Sequence, residues 1–147
     1  MNDVVLRVCD VRAGYTELDV LRGVSIEVRR GELVSLIGPN GAGKSTVLKA
    51  VMGLLRPRAG RVEFDGTDIT GWRADRVVRR GLAYVPQGRI VFPQMSVQEN
   101  LEMGAFTVDA PARVRVALER VYALFPRLAD RRRQLGGTMS GGEQQML

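Results

Sequence analysis

Eight consecutive residues, Gly38-Pro39-Asn40-Gly41-Ala42-Gly43-Lys44-Ser45, have the composition and spacing of a phosphate cradle. Triphosphate oxygens need several converging donors, and glycine lets backbone N–H groups approach in conformations that other residues resist. Gly38, Asn40, Gly41 and Gly43 supply that backbone, and the helix predicted to follow adds its positive end through Ser45 and Thr46. Lys44 is placed to reach β- and γ-phosphates, and the Ser45 hydroxyl to ligate Mg²⁺. The plainer alternative is a glycine-rich turn between a strand and a helix. Lysine occurs only at positions 44 and 49 in a chain with 22 basic residues. A compact ammonium here, where arginine is otherwise the rule, favours phosphate chemistry, because a planar fork is no substitute for it.

A second such pattern lies near the other end. Ser140-Gly141-Gly142-Glu143 has capping-box spacing, which opens a helix and satisfies two backbone donors. A helix N-terminus with two glycine N–H groups and a serine hydroxyl is also an anion site. Taken alone it reads first as a plain helix cap.

Met139-Ser140-Gly141-Gly142-Glu143-Gln144-Gln145 resembles the signature sequence of the ATP-binding cassette (ABC) family, with methionine where leucine is usual. That exchange nearly conserves volume. Tyr84-Val85-Pro86-Gln87 resembles the family's Q-loop, which implies that Gln87 contacts Mg²⁺ and the attacking-water region. Tyr15 stands where the family places an aromatic that stacks on adenine. The stretches Val85 to Pro93, Ser96 to Leu101 and Phe125 to Leu128 are similar to ATP-binding subunits of branched-chain amino acid importers, and the urea importer subunits look much the same.

The resemblance implies ATP and Mg²⁺ as cofactors, with Lys44 and Gln87 catalytic, and Ser45 and Gln87 on the metal. Tyr15, Gly38, Asn40, Gly41, Gly43, Lys44, Ser45, Thr46, Ser140, Gly141 and Gly142 would hold the nucleotide. It implies a partner ATP-binding subunit, so that the cradle of one faces the Ser140–Gly142 element of the other. Membrane permease subunits would be attached, a periplasmic solute-binding protein served indirectly, and the location cytoplasmic on the inner face of the plasma membrane. No nucleic acid is expected. The alternatives are a non-catalytic nucleotide-binding fragment, the ATPase of a urea importer, or a soluble ABC protein.

The family carries an Asp-Glu pair and a histidine beyond the signature helix, and hydrolysis needs them. This sequence has no Asp-Glu pair and no histidine. The 147 residues alone are therefore expected to be hydrolysis-deficient and poorly stable.

These groups need elements to position them. Alternating patterns predict strands at Val4–Val8, Val24–Val28 and Arg61–Asp65. Glu32 to Ile37 is apolar enough for a strand buried on both faces, as in a parallel sheet, and Leu82–Val85 reads as a further strand ended by Pro86. Helices are predicted at Lys44–Leu55, Arg73–Arg80, Ser96–Ala105 and Ala112–Leu124, with a further one opening at Ser140. The implied fold is α/β: a P-loop NTPase core of ABC type over residues 1–147, with an antiparallel β subdomain, an incomplete parallel sheet, and a helical subdomain over about residues 94–143.

The remaining composition mainly excludes. One cysteine, Cys9, offers neither a disulfide framework nor metal spacing, and reads as a small buried apolar residue. The N-terminus shows no signal-peptide pattern, and the apolar runs are too short to span a bilayer. Net charge is +6, but the arginines are scattered, and Arg131-Arg132-Arg133 reads as a solvated loop or helix end rather than a nucleic-acid contact.

Overall fold

The computed structural model describes residues 3–88 and 90–147. Met1 and Asn2 of the N-terminal reading, and Arg89 of the Val85–Pro93 stretch, lie outside the described residues. The chain forms two units, Met1–Tyr84 and Val85–Leu147.

The first unit is built on an antiparallel sheet. Strands β1 (Val4–Ala13), β2 (Leu21–Arg29), β3 (Ala59–Phe64) and the short β4 (Thr67–Asp68) are ordered β2-β1-β3-β4. β1 runs further than its alternation predicts. Leu6 and Val8 face the core, but so do Val11 and Ala13, so the inward set changes parity. A bulge makes the change: the register with β2 shifts between Val8 and Val11, and Asp10 has φ 45°. One extra residue re-aims everything after it. The hairpin from β3 to β4 turns through Asp65 (φ 47°) and Gly66 (φ 73°).

Helix α1 (Lys44–Val51) packs Val47, Ala50 and Val51 into a core with Val8, Val11, Leu21 and Val62. It is shorter than predicted, because the chain leaves the helix through Met52 and Gly53, whose φ is 68°. Helix α2 (Ala74–Arg79) contributes Val77, which is fully buried.

Two predicted strands are absent. Glu32–Ile37 is irregular and exposed, with Leu33 93% and Ile37 94% accessible. Leu82–Val85 is also irregular. A strand exists only through its ladder, and none of the described strands pairs with either segment. Every strand pair among the described residues is antiparallel. Cys9 is half-buried rather than buried: it follows the inward-facing Val8 in the strand and so lies on the opposite face.

The second unit is helical: α3 (Val97–Gly104), α4 (Pro111–Leu124), α5 (Pro126–Asp130), a 3₁₀ turn at Gly136–Thr138, and α6 (Gly141–Met146). Val97, Tyr122, Leu128 and Met139 form its core. The predicted capping box at Ser96 is present, with the Glu99 carboxylate accepting from Ser96 N–H at 2.7 Å. α5 is not among the predicted helices; Pro126 occupies its first turn, where its missing N–H costs nothing. Arg131–Arg133 form an exposed turn, as read, but two of them are engaged. Arg132 stacks over the Tyr122 ring at 4.0 Å and Arg131 pairs with Glu143 at 3.4 Å. No helix among the described residues is long and apolar enough to cross a membrane.

Candidate functional site

In the first unit, Gly38 to Gly43 forms a loop around the Lys44 ammonium. Lys44 Nζ donates to the carbonyls of Gly38 and Pro39, both at 2.8 Å. Two of its three donors are thus engaged, and it forms no ion pair among the described residues. Gly43 caps α1 with φ 92°, and a Cβ there would lie 3.0 Å from Leu21 Cδ2. The left-handed backbone here favours glycine, and the Leu21 side chain would have to give by a few tenths of an ångström to admit a Cβ.

The first backbone donors of α1 stand open. Val47 N–H reaches Gly43 O at 3.0 Å, but among the described residues Lys44, Ser45 and Thr46 N–H find no acceptor. Three orphan donors, the positive helix end and an ammonium converge on one place, which is the chemistry of polyphosphate binding. Ser45 is exposed beside them, while Thr46 is buried. No group of three or more acidic, histidine or cysteine side chains among the described residues could hold a metal.

Tyr15 belongs to the same unit. Its hydroxyl accepts from Lys49 Nζ at 3.2 Å. The Thr46 hydroxyl, and then Lys49, hold its phenol below the usual tyrosine range. The structure thus brings Tyr15 to the helix that opens the cradle.

Gln87 and the Ser140 element lie in the second unit. Gln87 is exposed at a bend, followed by Gly88 with φ 102°. Ser140 caps α6 through the predicted box, and the Glu143 carboxylate accepts from Ser140 N–H at 2.9 Å and from Ser140 Oγ at 2.7 Å. Gly141 and Gly142 N–H have no acceptor among the described residues, and the space at Gly142 is open. Met139 is buried in the unit's core directly before them, where leucine's volume would also fit.

Glu143 is itself buried. The Ser140 hydroxyl, the Ser140 N–H and the charge of Arg131 keep its carboxyl below the usual glutamate range, against the cost of desolvation. A carboxylate with a lowered folded-state pKa stabilises fully above its unfolded value, and that contribution disappears as pH falls through the lowered value. The helical unit should therefore lose helicity in acid in part through Glu143, and Glu143→Gln should flatten that dependence in a circular-dichroism titration. Identical acid midpoints for the two proteins would contradict it. Glu99, lowered in the same way by Ser96, titrates in the same sense and is unaffected by the substitution.

Asn100 organises this unit although its role is not evident from the chain alone. Asn100 accepts from Phe92 N–H at 2.7 Å and donates to the carbonyls of Phe92 (3.0 Å), Met95 (3.2 Å) and Ser96 (2.9 Å). It knits the segment after Gln87 onto α3. The signal available was an asparagine inside a predicted helix, where its side chain competes for backbone groups. That segment also bonds to the one leading to Ser140: Val97 N–H reaches Gln134 O at 2.9 Å and Gly136 N–H reaches Met95 O at 2.8 Å.

Comparison with known proteins places the chain. The ABC transporter family profile matches residues 21–147, and the chain belongs to that family. It is 45% identical over 133 residues to the high-affinity branched-chain amino acid transport ATP-binding protein BraG of Pseudomonas aeruginosa, covering 90% of this chain and 57% of that protein. It is 38% identical over 143 residues to the probable branched-chain amino acid transport ATP-binding protein LivF of Archaeoglobus fulgidus, covering 97% and 60%. A solved ATP-binding subunit of an ABC transporter superposes with a TM-score of 0.83 at 34% identity, covering 97% of this chain and 58% of that one. The chain thus spans about three-fifths of the length of the relatives it matches. Its fold is that of an ABC ATPase cassette, with the antiparallel sheet unclosed.

Proposed function

We propose that this chain is part of the ATP-binding subunit of an ABC importer, and that the complete protein binds and hydrolyses ATP to drive uptake of branched-chain amino acids. The observation that carries the nucleotide reading is the convergence of Lys44 Nζ and the unpaired N–H groups of Lys44, Ser45 and Thr46 at one helix end. The likeness to two branched-chain amino acid transport proteins supports the choice of solute.

In this reading the Gly38–Thr46 cradle holds the phosphates, Lys44 neutralises β- and γ-oxygens, and Tyr15 stacks on adenine. Ser45 would ligate Mg²⁺, whose charge would offset that on the transferring phosphate, and Gln87 would take the family's Q-loop role toward the metal. The Ser140–Gly142 element presents its open N–H groups to nucleotide held by a second ATP-binding subunit. Closure on ATP draws attached permease subunits between inward- and outward-open states, on the cytoplasmic face of the membrane. The segment after Gln87, through α3, is the part that couples to the permease, with a periplasmic binding protein delivering the solute. The 147 residues by themselves are expected not to turn over ATP.

Uptake of labelled leucine, isoleucine and valine in cells with and without the intact gene tests the proposal, together with co-purification in the membrane fraction. Loss of uptake by about tenfold or more, restored by the wild-type gene and not by Lys44→Ala, is the expected result. Unchanged uptake with lost export of some other solute would overturn the importer reading.

A further inference from the structure

Tyr15 opens the loop between β1 and β2, and an exposed loop has no intrinsic reason to hold an aromatic ring still. This loop is fastened from several sides. Its base is closed by Val20 N–H donating to Ala13 O at 2.9 Å. Gly14 permits the tight path, since a Cβ there would overlap the Leu18 carbonyl. Arg58 then clamps the backbone: its guanidinium donates to Glu17 O at 3.0 Å, to the Asp19 carboxylate at 2.6 Å and to Thr16 O. Arg58 is itself tied to the sheet, its N–H donating to Arg12 O at 2.8 Å.

The ring is fastened separately. Lys49 Nζ donates to the Tyr15 hydroxyl at 3.2 Å and stands 5.2 Å from the ring centroid, within cation–π range. Lys49 is one turn beyond Ser45 on α1, the helix whose first turn forms the cradle. More than half of the Tyr15 surface, 57%, stays open.

We propose that Lys49 and Arg58 are positioning residues for base recognition, Arg58 fixing the Tyr15 loop and Lys49 fixing its ring at a set distance from the phosphate cradle. The proposal rests on the reading of Tyr15 as the surface on which the base stacks. Neither residue needs to touch the nucleotide. Their effect falls on the base and not on the phosphates, because they pre-order an aromatic platform that otherwise loses entropy on binding. A role for Lys49 as a phosphate ligand makes the opposite forecast, since its charge would then act on any polyphosphate.

The test compares affinities of the full-length protein for ATP and for inorganic tripolyphosphate, in Tyr15→Ala, Lys49→Met, Lys49→Arg and Arg58→Met. Stacking of a base on an aromatic side chain corresponds to a roughly 5- to 100-fold gain in affinity. Lys49→Met and Arg58→Met should each weaken ATP by about five-fold and leave tripolyphosphate within about two-fold. Lys49→Arg should restore ATP affinity, because it keeps a cation on the ring. The ratio of the two affinities is unmoved by a fraction of unfolded protein, so poor folding of one variant does not imitate the result. Equal weakening of ATP and tripolyphosphate, or no change in either, overturns the proposal. If Tyr15→Ala leaves the ratio unchanged, the base-stacking reading falls. If Tyr15→Ala shifts it while Lys49→Met and Arg58→Met do not, that reading stands and the positioning proposal falls alone.

Discussion

Replacing Lys44 by alanine should weaken ATP binding by about 100-fold or more and remove any hydrolysis by the full-length protein. The ammonium contributes in two ways. Charge-assisted hydrogen bonds to phosphate stabilise by roughly 1.5–3 kcal/mol each, and two of them correspond to losses of that size. It also organises the loop before any ligand arrives, through the Gly38 and Pro39 carbonyls at 2.8 Å. Alanine leaves those carbonyls facing the cradle, where their partial negative charge repels phosphate. Lys44→Arg should fail to rescue, because the planar guanidinium cannot sit in a loop closed around a compact cation. Binding of a fluorescent ATP analogue reads the result directly, with folding checked by circular dichroism. An alanine variant that binds as well as the wild type would remove Lys44 from the phosphate site.

The second large effect is on stability. Gly60 sits in β3 at φ 85°, beside the bulge in β1. A Cβ at that position would lie 2.5 Å from both the Asp10 carbonyl carbon and the Cys9 oxygen. Both obstacles are backbone atoms of the central strand, so neither can rotate away. Gly60→Ala therefore combines a disfavoured dihedral with a clash, and should destabilise the first unit by about 3 kcal/mol or more. Its consequence should be global to that unit, because β1 pairs with both β2 and β3. Gly31→Ala is a fitting control: φ is 74° there, but no atom lies within 4 Å of the added carbon. Thermal denaturation of the pair separates strain from collision, and equal midpoints would show that the sheet yields at the bulge.

The cradle and the two capped helices were legible in the residues, and for a shared reason. Gly43-Lys44-Ser45, Ser96 to Glu99 and Ser140 to Glu143 act through groups within about one helical turn of each other. Spacing along the chain is then nearly spacing in space. The Ala112–Leu124 reading holds for the same reason: Val114, Leu118 and Val121 recur at helical intervals, and Leu118 and Val121 pack against the helical unit's core around Tyr122.

Pairing decided the rest. Leu33–Ile37 has a strand's composition, yet composition cannot supply the neighbour whose carbonyls complete a ladder, and the segment lies open instead. The parity change in β1 depends on a bulge at Asp10, which shows only when β2 is laid alongside. Likewise Tyr15 was a lone aromatic in the sequence. Its anchors, Lys49 and Arg58, stand far along the chain on a helix and at a strand approach, and reach it only after the sheet has folded. The glycine loop, the lysine that ends it and the starts of the capped helices could be read along the chain, because those are one-turn problems of backbone donors and caps. The tertiary structure alone decided which strands exist, where their register slips and what holds the tyrosine, because these depend on partners brought together by long-range packing.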